Sequence, residues 1–167
     1  MTTIELRRLN AREGQDIRDM VLEIGPRENG FGNGFYTSGE AEFQAALDRN
    51  LAMSQGDDLA PHLVPQTVYW LYVGGLPVGY GKLRHRLNDK LRLEGGHIGY
   101  VIRPTERQKG YGKLLLQELV KEAKHLGLSD VLLTCNEDNT ASRRIIEGCG
   151  GRLEDVMDGK CRYWIQI

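Results

Sequence analysis

No run of about 18 apolar residues occurs in the chain, so no membrane-spanning helix is expected. The opening segment MTTIELRRLN is charged and lacks an apolar centre, so it does not read as a secretory leader. Charge of one sign is not in excess: 22 Lys and Arg against 23 Asp and Glu leave a formal net charge of -1. The broad basic field that gathers nucleic acid is therefore missing. Cysteine is scarce, with three thiols at Cys135, Cys149 and Cys161. An odd number at wide spacing suits neither a disulfide framework nor a CxxC zinc site. It reads as idle thiols in a reducing cytoplasm, with no metal expected. Repeats, linkers and low-complexity segments are lacking as well. With 167 residues, 40% hydrophobic and 27% charged, the chain is expected to form one domain over 1–167.

Glycine, by contrast, is plentiful, with 21 residues that punctuate the apolar pattern. TIELRRL places Ile4 and Leu6 on one face and predicts a short strand. Ile17, Met20, Val21 and Ile24 predict a helix over 11–24. The stretch GPRENGFGNGFYTSG, Gly25 to Gly39, predicts a long irregular loop of the lid or binding type. Phe43, Ala46, Leu47 and Leu51 predict a helix over 40–54. QTVYWLYVGGLPVGYGKLRHRL reads as a hairpin turning at Gly74 and Gly75. GGHIGYVIRP predicts a strand ending near Arg103. Tyr111, Leu115, Leu119 and Ala123 then predict a helix over 110–126, closed by Gly127. DVLLTC is a short buried strand, Asn139 or Asp138 caps a helix through about Cys149, and Gly150-Gly151 ends it. Strands near 152–156 and 161–166 close the chain. The order predicts a mixed α/β fold with a largely antiparallel sheet flanked by helices.

The stretch RPTERQKGYGKLLL carries the chemistry. A strand ends near Ile102, a loop of cations and glycines follows, and a helix starts. A helix N-terminus offers unpaired N–H groups and a partial positive charge. Gly110 and Gly112 let an anion approach the backbone, while Arg107, Lys109 and Lys113 add full charges. This predicts a phosphate or pyrophosphate site. A P-loop fails, because Leu114 follows Lys113 where Ser or Thr is required and Arg107 stands at the first glycine. A Rossmann turn fails, because Leu115 occupies the place of the third glycine.

RQKGYG, Arg107 to Gly112, resembles the Q/R-x-x-G-x-G/A signature of the GNAT superfamily of acyl-CoA-dependent N-acetyltransferases. NEDNTASRRIIEGCGG resembles that family's strand-then-helix segment. The likeness covers about 66–167 well, and the N-terminal third matches in element order alone. The chain also resembles an uncharacterised bacterial branch of predicted acetyltransferases with RHRLN, GGHIGY and NGG-like endings. The resemblance implies a GNAT-like fold with a coenzyme-binding core over about 66–167 and acetyl-CoA as acyl donor. The pyrophosphate would be held by the backbone of Arg107, Gln108, Lys109, Gly110, Tyr111, Gly112 and Lys113. Asn139 and Ser142 would lie beside the pantetheine arm. The thioester would lie in a gap between strand HIGYVIRP, which ends at Ile102, and strand DVLLTC, its carbonyl held by a backbone N–H of the former.

An amine would then attack directly in a ternary complex, which needs no enzyme nucleophile. Glu94 and His97 flank the strand beside the thioester and are the base candidates; an ordinary strand histidine and a solvated carboxylate are the plainer alternatives. The tyrosine that protonates the departing thiolate in many family members is Ile146 here. Tyr100, Tyr111 and Cys149 remain as substitutes. For the acceptor, Glu28 and Tyr36 of the glycine-rich loop, with Phe31 and Phe35, and Arg84 and Arg86 of RHRLN are candidates. Arginine there suits a carboxylate or phosphate, and a solvated strand end is the alternative. Glu23 is a further candidate. The expected protein is a cytoplasmic acetyltransferase of a primary amine, with neither nucleic acid nor membrane as partner and with room for a homodimer. A non-catalytic coenzyme-binding module of the same fold is the rival reading.

Overall fold

A computed structural model describes residues 2–57 and 59–167. The chain runs through β1 (Ile4–Arg8), α1 (Gln15–Ile24), β2 (Arg27–Glu28), β3 (Phe31–Gly32), α2 (Glu40–Gln55), β4 (Gln66–Val73) and β5 (Leu76–Arg84). It continues through α3 (Asp89–Leu93), β6 (Ile98–Ile102), α4 (Tyr111–His125), β7 (Asp130–Asn136), α5 (Thr140–Gly148), β8 (Arg152–Met157) and β9 (Lys160–Gln166). The predicted long elements are present in the predicted order. Helix α1 starts later than expected, because Gly14 is extended ahead of it.

Three short elements, β2, β3 and α3, were not expected. The glycine-rich segment is not wholly irregular: β2 and β3 form a small hairpin inside it. After β5, the Asn88 carboxamide accepts from Leu91 N–H at 2.9 Å and starts the five-residue α3. Strand β5 ends at Arg84, so the two arginine candidates of RHRLN part there: Arg84 is the last strand residue and Arg86 lies beyond it.

The strands form two sheets, one in the order β1-β4-β5-β6 and one in the order β7-β9-β8. Helices α1 and α2 cover one face of the first sheet. Ile17, Met20, Phe35 and Leu47 pack there on Trp70, Tyr72, Tyr80 and Val101. Helix α4 covers the other face, where Leu115, Leu116 and Leu119 meet Leu71, Leu83, Leu133 and Tyr163. With both faces covered, β4 is buried along nearly its whole length and reads as a continuous apolar run. Among the described residues no helix is long and apolar enough to cross a membrane.

The two sheets meet at one corner. His97 N–H donates to Leu132 O at 2.7 Å, and Leu132 N–H donates back to His97 Nδ1 at 2.9 Å. Gly95 N–H donates to Thr134 Oγ1 at 2.8 Å. Gly96 sits at the corner with φ +61, and a Cβ there would lie 2.2 Å from Leu132 O. Glycine is therefore required by conformation and by space together. Beyond this corner no ladder joins β6 to β7 among the described residues.

Candidate active site

The gap between the sheets is a cavity of about 700 Å³, lined by residues of the β2–β3 hairpin, β5, β6, β7, α4 and α5. Alternation along β6 divides its lining. Tyr100 points toward α4 and α5, whereas Gly99 faces Phe31 of the hairpin. The backbone follows the same logic. Arg84 N–H donates to His97 O and Arg103 N–H donates to Val78 O, which fixes the phase of the β5–β6 ladder. Odd-numbered backbone groups of β6 therefore face β5. Those of Ile98, Tyr100 and Ile102 face the gap.

At one end lies the start of α4. Gly110 has φ +84, no side-chain cap and no atom within 4 Å of where a Cβ would stand. The first helical bond is Leu114 N–H to Gly110 O, so the N–H groups of Tyr111, Gly112 and Lys113 have no intrahelical acceptor. An open concavity with free donors at a positive helix end fits a pyrophosphate. Gly112 has a second reason to be glycine: a Cβ there would lie 2.9 Å from Ile145 Cδ1, so it lets α5 approach α4.

The cations of this loop are less free than their sequence suggests. Arg107 Nε donates to Ile102 O, and its Nη1 pairs with Glu28 at 3.3 Å. Its Nη2 is buried without a partner among the described residues. Lys109 pairs with Glu106 at 2.8 Å and does not line the cavity. Lys113 and Arg144 line it without an ion pair among the described residues. Ile102, Gln108, Tyr111, Asn139 and Ser142 line it as well. Asn139 Oδ1 accepts from Ser142 N–H at 3.2 Å, capping α5 and placing the serine on the cavity wall.

In the middle, Tyr100 and Ser142 approach each other, hydroxyl to hydroxyl, at 3.4 Å. Burial pushes the Tyr100 phenol up to about 12, against a smaller opposing effect of Ser142. Cys135 lies beside them, its thiol pushed up to about 11 mainly by burial. It is a protonated, inert neighbour at neutral pH. Ile146 is 1% exposed and packs into the core along the same wall.

Away from the cradle, Lys82, Arg84, Glu94, Thr134, Asn136 and Lys160 line the cavity together with the hairpin β2–β3, whose Gly32 and Phe31 meet Lys82. Glu94 is 62% exposed and pairs with Lys160 at 3.1 Å. Of the two base candidates, only Glu94 borders the cavity. His97 is 5% exposed, does not line the cavity, and spends its Nδ1 on the Leu132 N–H. Burial lowers its pKa, so it stays neutral and serves the join between the sheets. Glu28 and Arg84 border the cavity; Tyr36 and Arg86 are exposed elsewhere. Glu23 is committed too. Burial alone would raise its pKa, but Arg103 and the Thr105 N–H and hydroxyl hold its carboxylate below the usual range. Sequence reasoning passed over Lys82 and Lys160. A lysine inside the apolar run VGYGKLR was the available signal.

The geometry agrees with three comparisons. The family model described as acetyltransferase (GNAT) domain matches residues 6–152. The uncharacterised N-acetyltransferase YfmK of Bacillus subtilis (strain 168) is 33% identical over 90 residues, 54% of this chain and 57% of that protein, so the match spans little more than half of that relative. Among solved structures, the ribosomal L7/L12 alpha-N-protein acetyltransferase RimL in complex with coenzyme A superposes with a TM-score of 0.76 at 18% identity, over 99% of this chain and 94% of that one. The microcin C7 self-immunity acetyltransferase MccE, in complex with acetyl-CoA and AMP, gives a TM-score of 0.71 at 14% identity, over 98% and 92%. At such identities the structural likeness speaks for the fold, and the family match speaks for descent. With a cavity split between two sheets and a glycine cradle at the head of α4, the chain belongs to the GNAT acetyltransferase family.

Proposed function

We propose that the chain transfers an acetyl group from acetyl-CoA to a primary amine, by direct attack within a ternary complex, in the cytoplasm. The observation that carries this reading is the continuity of the cavity. It joins a helix-end anion cradle at Gly110 to a chamber under the β2–β3 hairpin, with the free backbone groups of β6 between them. Solved relatives of the same fold bear acetyl-CoA or coenzyme A in their names, and one is named for acting on a ribosomal protein.

When bound, acetyl-CoA supplies the acyl carbon and a thiolate leaving group. The Tyr111, Gly112 and Lys113 N–H groups, with Lys113 and Arg144, hold its phosphates. The N–H groups of Ile98 and Tyr100 receive the charge that develops on the carbonyl oxygen. Glu94, through water, takes the proton that the amine must lose. Tyr100 and Ser142 stand on the opposite side of β6 and return a proton at the sulfur, in place of the tyrosine that Ile146 replaces.

The test is thiol release from acetyl-CoA across a panel of primary amines. Turnover with at least one amine, lost in Gly110→Asp and kept in Lys124→Ala, is the expected result. Tight binding of acetyl-CoA without release for any amine would leave a coenzyme-binding module instead.

A further inference from the structure

The far chamber carries a charge imbalance. Glu28 is paired with Arg107, and Glu94 with Lys160. Lys82 and Arg84, on one face of β5, face the same chamber and form no ion pair among the described residues. Lys82 Nζ donates to Gly32 O at 2.7 Å and lies 4.4 Å from the centre of the Phe31 ring. Arg84 Nη1 donates to the carbonyls of Gly95 and Gly96, both at 3.1 Å. These neutral partners satisfy hydrogen bonds but do not cancel charge. Two partly buried cations side by side, with no anion, are costly to hold in a folded chain. Burial, with repulsion from Arg84, lowers the Lys82 pKa to about 8.

Register adds the position. Lys82 is the cross-strand partner of Gly99, between Ile98 and Tyr100, whose N–H groups face the reacting gap. Adjacent strands lie about 4.8 Å apart, so an anion on Lys82 sits a few bonds from an amine in that gap.

Resting on the acetyl-transfer reading, we infer that Lys82 and Arg84 form an anion subsite, and that the acceptor is an acidic amine with a carboxylate or phosphate a few bonds from its nitrogen. The substrate brings the missing counter-charge. Glu94 pairs with Lys160 at the edge of the same chamber, so it does not neutralise Lys82 and Arg84.

The experiment uses matched amines on protein saturated with acetyl-CoA: β-alanine against propylamine, O-phosphoethanolamine against ethanolamine, and 1,3-diaminopropane as the dicationic member. The expected KM is lower by about tenfold or more for the acidic member, and the two pairs show whether carboxylate or phosphate is preferred. Calorimetry on the CoA-loaded protein with the same amines reads affinity without chemistry. At about pH 8.5 the acidic members bind with proton uptake, because the anion restores the charge of Lys82, whose pKa is about 8 when the site is empty. Lys82→Met removes that uptake, Lys82→Arg keeps the acidic preference, and Lys82→Glu turns it toward the diamine. Equal or better use of the neutral or dicationic amines, or calorimetry with no preference, including binding by neither member, overturns the proposal. Binding of acetyl-CoA itself is read separately by thermal shift, so this failure is distinct from failure of the acetyl-transfer reading.

Discussion

Gly96 shows how a single residue sets the site. It combines φ +61 with a backbone oxygen 2.2 Å from any added Cβ, at the corner where the sheets touch. Gly96→Ala must therefore strain the backbone and push Leu132 away, and neither cost is relieved by rotating a side chain. Strain of this kind plus overpacking adds to roughly 3 kcal/mol or more, which for a chain of this length is about 6–12 °C in melting temperature. A scanning calorimetry shift of only a degree or two would mean that the corner yields easily. Tyr100 is the second residue whose role is open to a direct measurement. Its phenol is held protonated through neutral and alkaline pH, with a pKa of about 12, and its hydroxyl meets that of Ser142. Tyr100→Phe should lower kcat by about tenfold, short of the 10²–10⁴ that acid–base groups typically supply, because the Ser142 hydroxyl remains. The KM for acetyl-CoA should change little. Ile146→Tyr should not restore the loss, since Ile146 is 1% exposed and a larger ring overpacks that wall. An unchanged kcat in Tyr100→Phe would remove the phenol from the proton path.

At the level of elements, the glycine-rich segment divides into a buried base and a more lightly held tip. Asn33 is buried, and its amide donates to Val21 O and Gly25 O while its oxygen accepts from Phe35 N–H and Tyr80 Oη. Phe35 packs against Phe43, Trp70 and Tyr80. The tip, residues 27–32, is a two-residue ladder held by Lys82 and by Glu28. Amide exchange in the ligand-free protein should be fast over 27–32 and slow at Phe35. Equal protection across the segment would show that the hairpin is not a separable element. Long periodic elements were legible in the sequence because their signal is local. Leu115, Leu119 and Ala123 announce α4, and Gly74-Gly75 announces the β4–β5 turn. The hairpin and α3 are too short for periodicity to register. Side-chain roles were harder to read, since they depend on partners far along the chain. His97 has the composition of a base, yet its partner is Leu132. Glu23 resembles a free carboxylate, yet Arg103 and Thr105 claim it. Lys82 gains its meaning only when Phe31 and Gly32 fold over it.

For the whole molecule, a ligand that spans both sheets should stabilise more than one that touches a single loop. Acetyl-CoA at about 100 times its Kd should add ~2.7 kcal/mol, or roughly 5–10 °C in melting temperature for a chain of this size. NAD and ATP should add little, since the cradle fails the glycine spacing of their usual sites. No shift at millimolar acetyl-CoA would sink the coenzyme reading. The divided sheet also bears on handling and storage. Past the corner at His97 no ladder joins β6 to β7 among the described residues; apart from Ile102 O, which accepts from Arg107 Nε, their facing edges offer rows of backbone donors and acceptors to a strand from another molecule. In a continuous sheet these rows would satisfy one another; here they stay open so that a ligand can lie between them. The same opening that makes room for chemistry is a sticky seam in the empty protein. Light scattering on a heated, ligand-free sample should therefore rise below its melting temperature, and coenzyme A should delay that rise to the unfolding transition.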